Sequence, residues 1–277
     1  MYSPAEIADR VLEWGVSKCK LSVLKMIVLG ILAGMFIALA GIASTFANVY
    51  VGRFAGACVF PCGLSLTVVC GSELFTGNNL IFISVLDRKV RLRAMLRNWI
   101  VVYIGNFIGG MIISLVSVYG GVFSNPDVAA ALVSTAVGKA NMTFYSAVLK
   151  GIICNILVCG AVWMSFATKT AEGKIILMFF PVMAFVICGS EHCVANMFYL
   201  PSGFLTAAKY GIDAAELTVG RMLFNALIPS TVGNIIGGCG VVSLSYWYIY
   251  HKDMIFMEHP VKLNNMSLIQ KKGSLTK

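Results

Sequence analysis

The sequence predicts an all-α membrane protein of six transmembrane spans, arranged as an inverted repeat whose second and fifth helices are broken. Three observations predict it. Hydrophobic residues make up 58% of the chain and charged residues only 12%, whereas a soluble domain carries about a quarter of its residues as charges. Six apolar windows, each reaching the roughly 20 residues that cross a bilayer core, lie at about 21–44, 54–86, 99–122, 144–167, 175–209 and 222–250. Finally, Cys70-Gly71-Ser72-Glu73 recurs letter for letter at Cys188-Gly189-Ser190-Glu191, and Asn78 and Asn196 each follow five residues after the glutamate.

At the N-terminus, Ser3, Pro4 and Glu6 suit an N-cap, a first helical position and a capping-box partner, with Ile7, Val11 and Trp14 on one face of the helix that follows. A short interfacial helix is therefore expected, with no processing, because the basic-then-apolar build of a cleavable signal is missing. In the first window, Gly30 and Gly34 form a small-residue face suited to helix packing. The second and fifth windows are too long for one straight span, and each holds a copy of the repeated block. Glycine, serine and a carboxylate left unsatisfied in hydrocarbon cost several kcal/mol, so each window is expected to be two half-helices around a loop that lines a cavity. Paired breaks of this kind point to a transport site near the bilayer midplane.

Further matches define the halves. Gly30-Ile31-Leu32 resembles Gly151-Ile152-Ile153, and Gly105-Asn106-Phe107-Ile108-Gly109-Gly110 resembles Gly233-Asn234-Ile235-Ile236-Gly237-Gly238. Three spans per repeat is an odd number, so the second copy enters from the opposite side of the membrane. The expected organisation is one transmembrane channel domain over 1–253, with repeats at about 21–122 and 144–250, and a mobile cytoplasmic tail over 254–277, where apolar periodicity fades.

Of the 21 lysines and arginines, 16 lie before or at the start of the first window, after the second and fourth, or after the sixth. The positive-inside rule then places both termini in the cytoplasm of a multi-pass protein, in the cell's inner (plasma) membrane. Topology and anionic lipid explain the net charge of +9; no aromatic-basic pattern points to nucleic acid. All nine cysteines except Cys19 fall in apolar stretches and read as free, buried small hydrophobes.

Away from the window ends, the ionisable groups reduce to Glu73, Glu191 and His192. Charges inside a membrane are costly and usually functional. The glutamates, with Asn78 and Asn196, are expected to serve the breaks structurally, by accepting hydrogen bonds from orphan amides at half-helix N-termini. His192 has no such twin, since Leu74 stands at its place in the first copy, and a transport role is expected of it. A metal site needs about three clustered ligands, and no other histidine lies in a window. No cofactor and no enzyme activity are implied.

Taken together, the two Gly-Ser-Glu breaks and the run Ile228-Pro229-Ser230-Thr231-Val232-Gly233-Asn234-Ile235-Ile236-Gly237-Gly238 make the chain resemble the formate/nitrite transporter family over roughly residues 3–250. The resemblance implies an aquaporin-like protomer, assembled as a homopentamer with one pore per protomer, that conducts small monovalent anions. It also implies site residues: His192 as the central histidine, Thr76 in the first-break loop, Lys139 as the basic vestibule residue, and Asn155 and Asn234 as polar pore asparagines. Apolar constrictions would fall on Phe60, Leu64, Leu74, Phe75, Val158 and Phe185. The second break departs from the formate channels in Ser190 after the glycine and Cys193 after the histidine, and Lys150 adds a basic group. As a whole the chain looks most similar to the family's hydrosulfide-channel branch.

Physics narrows the mechanism independently. A bare anion crossing a dry apolar ring costs more than binding contacts return. Lys139, with Lys150 as a second candidate, either draws anions to a vestibule or simply snorkels. His192 would share or donate a proton so that a neutral or partly neutral species crosses. Protonating a carboxylate of pKa about 3.5 at neutral pH costs about 5 kcal/mol, whereas hydrosulfide, whose conjugate acid titrates near neutrality, costs almost nothing. Hydrosulfide is the preferred substrate on this reading, with formate and nitrite also candidates. The alternative is a neutral-solute pore of the water and glycerol type. That pore is marked by paired Asn-Pro-Ala caps, and this chain has only Asn125-Pro126, read here as lying in a loop.

Overall fold

A computed structural model describes residues 1–251; the tail expected to be mobile, 254–277, lies outside them. Every regular element among the described residues is helical. The chain opens with α1 (Pro4–Cys19), whose N-cap is built as its sequence requires. Ser3 Oγ accepts from the Glu6 amide at 3.3 Å, and Glu6 accepts from the Ser3 amide at 2.7 Å. α1 buries Ile7, Ala8, Val11 and Leu12, and the Ser84 hydroxyl donates to the Leu12 carbonyl at 2.8 Å. Arg97 ties the following corner by donating to the carbonyls of Cys19 and Leu21.

After the long helix α2 (Val23–Tyr50), the chain forms α3 (Arg53–Val59) and α4 (Cys62–Val69), then an interruption. A 3-10 turn (Gly77–Leu80) resumes it into α5 (Ile81–Leu86), followed by α6 (Leu92–Tyr119). α6 starts earlier than the third apolar window because Arg93 and Arg97, which closed that window, extend the helix beyond the apolar stretch.

The segment between the halves differs from the sequence reading. Asn125-Pro126 does not sit in a loop but opens α7 (Pro126–Ala140): Asn125 Oδ1 accepts from the amides of Asp127 and Val128, and proline occupies the first turn, where its missing N–H costs nothing. α7 escaped the apolar windows because only one of its faces is buried, through Val128, Leu132, Val133 and Ala136. The second half then runs through α8 (Phe144–Ser165), α9 (Ala171–Ile187), α10 (Cys193–Tyr210) and α11 (Val219–Tyr250), the last widened by two π-helical stretches.

Four helices, α2, α6, α8 and α11, are long and apolar enough to cross a membrane. They pack as two pairs with backbones in near contact. A Cβ added at Gly105 would meet the Ile27 carbonyl at 2.9 Å and Gly30 Cα at 3.0 Å; one added at Gly151 would meet the Ser230 carbonyl at 2.9 Å and Gly233 Cα at 3.1 Å. The small-residue face of Gly30 and Gly34 thus serves packing within the chain, of α2 on α6, and Gly151 repeats it for α8 on α11. Outside, Ile100, Val116, Phe180, Phe224 and Ile249 are exposed, an apolar girdle suited to lipid or to other protomers. The cysteines are unpaired, as expected, but only five are buried. Cys62, Cys70 and Cys188 are exposed and Cys58 is half-buried, because an apolar window marks contact with hydrocarbon as readily as burial in protein.

Candidate functional site

Each copy of the repeated block ends a helix. Cys70 caps α4, Gly71 takes the left-handed conformation (φ +76°), and the amides of Gly71 and Ser72 donate back to the carbonyls of Val68 and Thr67. Cys188, Gly189 (φ +67°) and Ser190 do the same for α9, donating to Val186 and Phe185. Both are Schellman caps, which need a residue free of Cβ strain at the glycine. The glutamate amide then leaves the helix and donates sideways, from Glu73 to the Leu29 carbonyl at 3.2 Å and from Glu191 to the Lys150 carbonyl at 3.3 Å.

Backbone freed by each break is held by one asparagine from the neighbouring long helix. Asn106 accepts from the Phe75 amide at 2.9 Å and donates to the carbonyls of Gly30 and Glu73 at 2.8 Å each. Asn234 accepts from the Cys193 amide at 2.9 Å and donates to Gly151 and Glu191 at 2.9 and 2.8 Å. Asn234 is therefore a brace rather than the pore-facing polar group that the family resemblance implied. Asn155, also assigned to the pore, is fully buried and donates to the carbonyls of Asn234 (2.6 Å) and Thr76 (3.3 Å).

The carboxylates take a different role from the expected one. Instead of backbone amides they receive one lysine each, with two asparagines at Glu73 and one at Glu191. Glu73 pairs with Lys18 and accepts from Asn78 Nδ2 at 2.8 Å, and Asn98 donates at 3.4 Å. Glu191 holds Lys139 Nζ through both oxygens at 2.9 Å and accepts from Asn196 Nδ2 at 2.8 Å. Both glutamates are almost completely buried, where an unpaired charge would be untenable. Lys139 consequently brings little free positive charge to a vestibule. Lys150 lies outside the two cavities described next.

A cavity of about 250 Å³ opens on the Lys139 side, lined by Phe60, Phe185, Lys139, Glu191, His192 and Arg53 among others. A second, of about 230 Å³, opens on the Lys18 side, lined by Lys18, Leu64, Leu74, Asn78 and Lys174 among others. The Phe60 and Phe185 rings meet edge to face at 5.9 Å, and Phe185 stacks on the His192 ring at 5.8 Å. His192 also contacts the first break, with Nε2 2.9 Å from Thr76 Oγ1. That contact joins the two breaks between the cavities.

Local bonding fixes the state of this ring. His192 is the N-cap of α10, and its Nδ1 lies 3.0 Å from the Ala195 amide, which can only donate. Nδ1 must then carry the lone pair, so the neutral ring bears its proton on Nε2 and donates it to Thr76. The Thr76 hydroxyl keeps its own proton for another acceptor. Of the remaining constriction candidates, Val158 is buried outside both cavity walls, and Phe75 packs edge-on against Trp99 and Tyr103 at 5.7 and 4.9 Å, away from both linings.

Sequence reading missed Lys18, Asn98, Arg53 and Lys174 as members of this site, and gave Asn106 no role beyond the repeat. One signal was available for Lys18: it precedes Lys139 by the same separation that divides Gly30 from Gly151. Treating the basic residues before the first window as topology markers concealed it.

Residues 5–248 match the family described as Formate/nitrite transporter. The chain is similar to the formate channel FocA of Haemophilus influenzae, 38% identical over 79% of this chain and 84% of that one. It is also similar to FocA of Escherichia coli K12, 36% identical over 90% of this chain and 95% of that one. A solved structure described as a pentameric formate channel with formate bound superposes with a TM-score of 0.73, at 33% identity, covering 83% of this chain and 98% of that chain.

Proposed function

Because this chain belongs to the formate/nitrite transporter family, we propose that it conducts small monovalent weak-acid anions through a pore in each protomer of a homopentamer. It is a membrane transport protein, not an enzyme. In this reading α2, α6, α8 and α11 are four of six spans, and the interrupted segments α3–α5 and α9–α10 are the second and fifth. The halves are inverted as in aquaporins, both termini face the cytoplasm, and the protein resides in the inner (plasma) membrane. The excess of basic residues on one side supports that orientation, and the pentameric relative supports the assembly.

The observation that carries the transport reading is the His192–Thr76 contact, placed between a cavity on each side and next to the aromatic pair Phe60 and Phe185. An anion reaching this point loses water and needs a proton donor. The Thr76 hydroxyl supplies one, and His192 strengthens it by donating Nε2–H to Thr76 Oγ1. Full proton donation by His192 would require the doubly protonated ring, and a second proton on Nδ1 would displace the Ala195 amide and uncap α10. The geometry therefore supports a strong hydrogen bond with partial proton sharing. Hydrosulfide remains the preferred substrate because neutralising it costs almost nothing, against about 5 kcal/mol for a carboxylate of pKa about 3.5; formate and nitrite follow.

The test is flux of hydrosulfide, formate, nitrite and chloride in liposomes across a pH series, for the native protein and His192→Asn. Expected is a rate order that falls as the conjugate acid becomes stronger, with hydrosulfide fastest and chloride slowest, and a large loss of flux in the variant. Chloride passing as fast as hydrosulfide would defeat the weak-acid mechanism, and unchanged flux in His192→Asn would remove His192 from it.

A further inference from the structure

The cavity beside His192 holds a cation that no carboxylate neutralises. Lys139 is bound by both oxygens of Glu191, and the field of such a pair fades quickly with distance. Arg53 lines the same cavity, is exposed, and among the described residues has no ion-pair partner. Its position does not serve its own helix. Arg53 is the first residue of α3, where the helix dipole disfavours a cation. Its guanidinium instead lies over the second break: a Cβ placed on Gly189 would meet Arg53 Nη2 at 3.1 Å. The matching glycine of the first break, Gly71, has nothing within 4 Å.

We propose that Arg53 is the anion-collecting residue of this mouth, its guanidinium seated over Gly189 so as to concentrate small monovalent anions in the cavity above His192 and set the apparent affinity from that side alone. The inference rests on the anion-conduit reading above. A cation at the rim of a low-dielectric cleft raises the local anion concentration. Its reach is about 30 Å at 0.01 M salt and about 3 Å at 1 M, so the contribution is strong in dilute buffer and vanishes in concentrated salt. Arg53 acts before the constriction, and its loss should alter KM rather than maximal rate.

The experiment measures one-directional anion flux from each side of oriented proteoliposomes, at low and high ionic strength, for the native protein, Arg53→Gln, Arg53→Lys, Gly189→Ala and Gly71→Ala. Arg53→Gln should raise KM several-fold from the Arg53 side at low salt. Its maximal rate should stay within about twofold, its opposite-side KM should not move, and the difference should disappear at high salt. Arg53→Lys should retain most of the native affinity. Gly189→Ala keeps the charge but displaces the guanidinium, and should raise the same KM. Gly71→Ala imposes the same backbone strain without touching Arg53, and should not. Unchanged KM in Arg53→Gln alongside robust native flux would overturn the role of Arg53, as would equal effects from both glycine variants. Absence of native anion flux would overturn the conduit reading itself.

Discussion

At residues 70–78 and 188–196 the chain builds the same corner twice, with Lys18, Glu73, Asn78 and Asn106 in one and Lys139, Glu191, Asn196 and Asn234 in the other. Both have a Schellman cap, a buried lysine–glutamate pair and an asparagine brace to the adjoining long helix. They part at the residue after the glutamate, where Leu74 lines one cavity and His192 lines the other, and at Thr76, whose counterpart Val194 has no hydroxyl. What is duplicated holds the backbone of an interrupted helix in place; what is single is the Thr76–His192 contact, to which the proposed solute handling is assigned. The comparison also extends to the helices that deliver the lysines, since α1 and α7 both begin with a capping side chain followed by proline.

The lysines offer the sharpest way to break this equivalence. Lys18→Met and Lys139→Met each strand a buried carboxylate, at a cost of about 3–5 kcal/mol. Pairing each with its neutral partner, as in Lys18→Met/Glu73→Gln and Lys139→Met/Glu191→Gln, should recover most of the loss. Thermal unfolding of the purified assembly in detergent checks this, and a large loss at only one of the two sites would show the corners to be unlike.

The braces give the next effect. Asn106→Ala and Asn234→Ala each abandon two carbonyls and one amide in the protein interior, and at about 1 kcal/mol or more per group left unmet each should cost about 3 kcal/mol. The two variants should be close to each other on the same measurement. Collapse of flux with normal stability in Asn234→Ala would return that asparagine to the pore.

Smallest is the difference between the two delivering helices, for only α1 carries a full capping box. Hydrogen bonds from the Ser3 amide and then the Ser3 hydroxyl hold the Glu6 carboxyl below the usual 4.5. A group whose pKa is lowered on folding adds stability above its unfolded value, and that stability fades as pH falls through the folded one. Glu6→Gln should therefore lower the unfolding temperature slightly at neutral pH, with the gap narrowing as pH drops below about 4.5. A gap that persists or widens in acid would exclude the capping carboxylate as its source.

Much of this molecule was legible in advance, for identifiable reasons. The repeated Cys-Gly-Ser-Glu announced two helix breaks because glycine, serine and a carboxylate left unsatisfied in hydrocarbon are costly, and the structure adds that each glycine ends its helix in the left-handed conformation. Ser3, Pro4 and Glu6 announced α1 because a capping box is a matter of residues a few positions apart. By contrast, α7 was hidden because a helix with one buried face does not fill an apolar window. Lys18 was hidden because a basic residue before a span has a sufficient explanation in topology, and nothing local reveals that its ammonium turns inward to Glu73. Asn155, Asn234 and Phe75 were given to the pore by the family resemblance, which carries residue type but not side-chain direction, and each spends its side chain within the protein.

The sequence by itself determined where apolar helices run, where two of them stop, and which histidine stands alone among them. Those properties depend on solvent and on residues a few positions apart. Only the tertiary structure decided which lysine neutralises which glutamate, which asparagine replaces the missing helical hydrogen bonds, and which hydroxyl meets Nε2 of His192. Each of those outcomes joins groups far apart in the chain, and a buried polar group is defined by the partner brought to it.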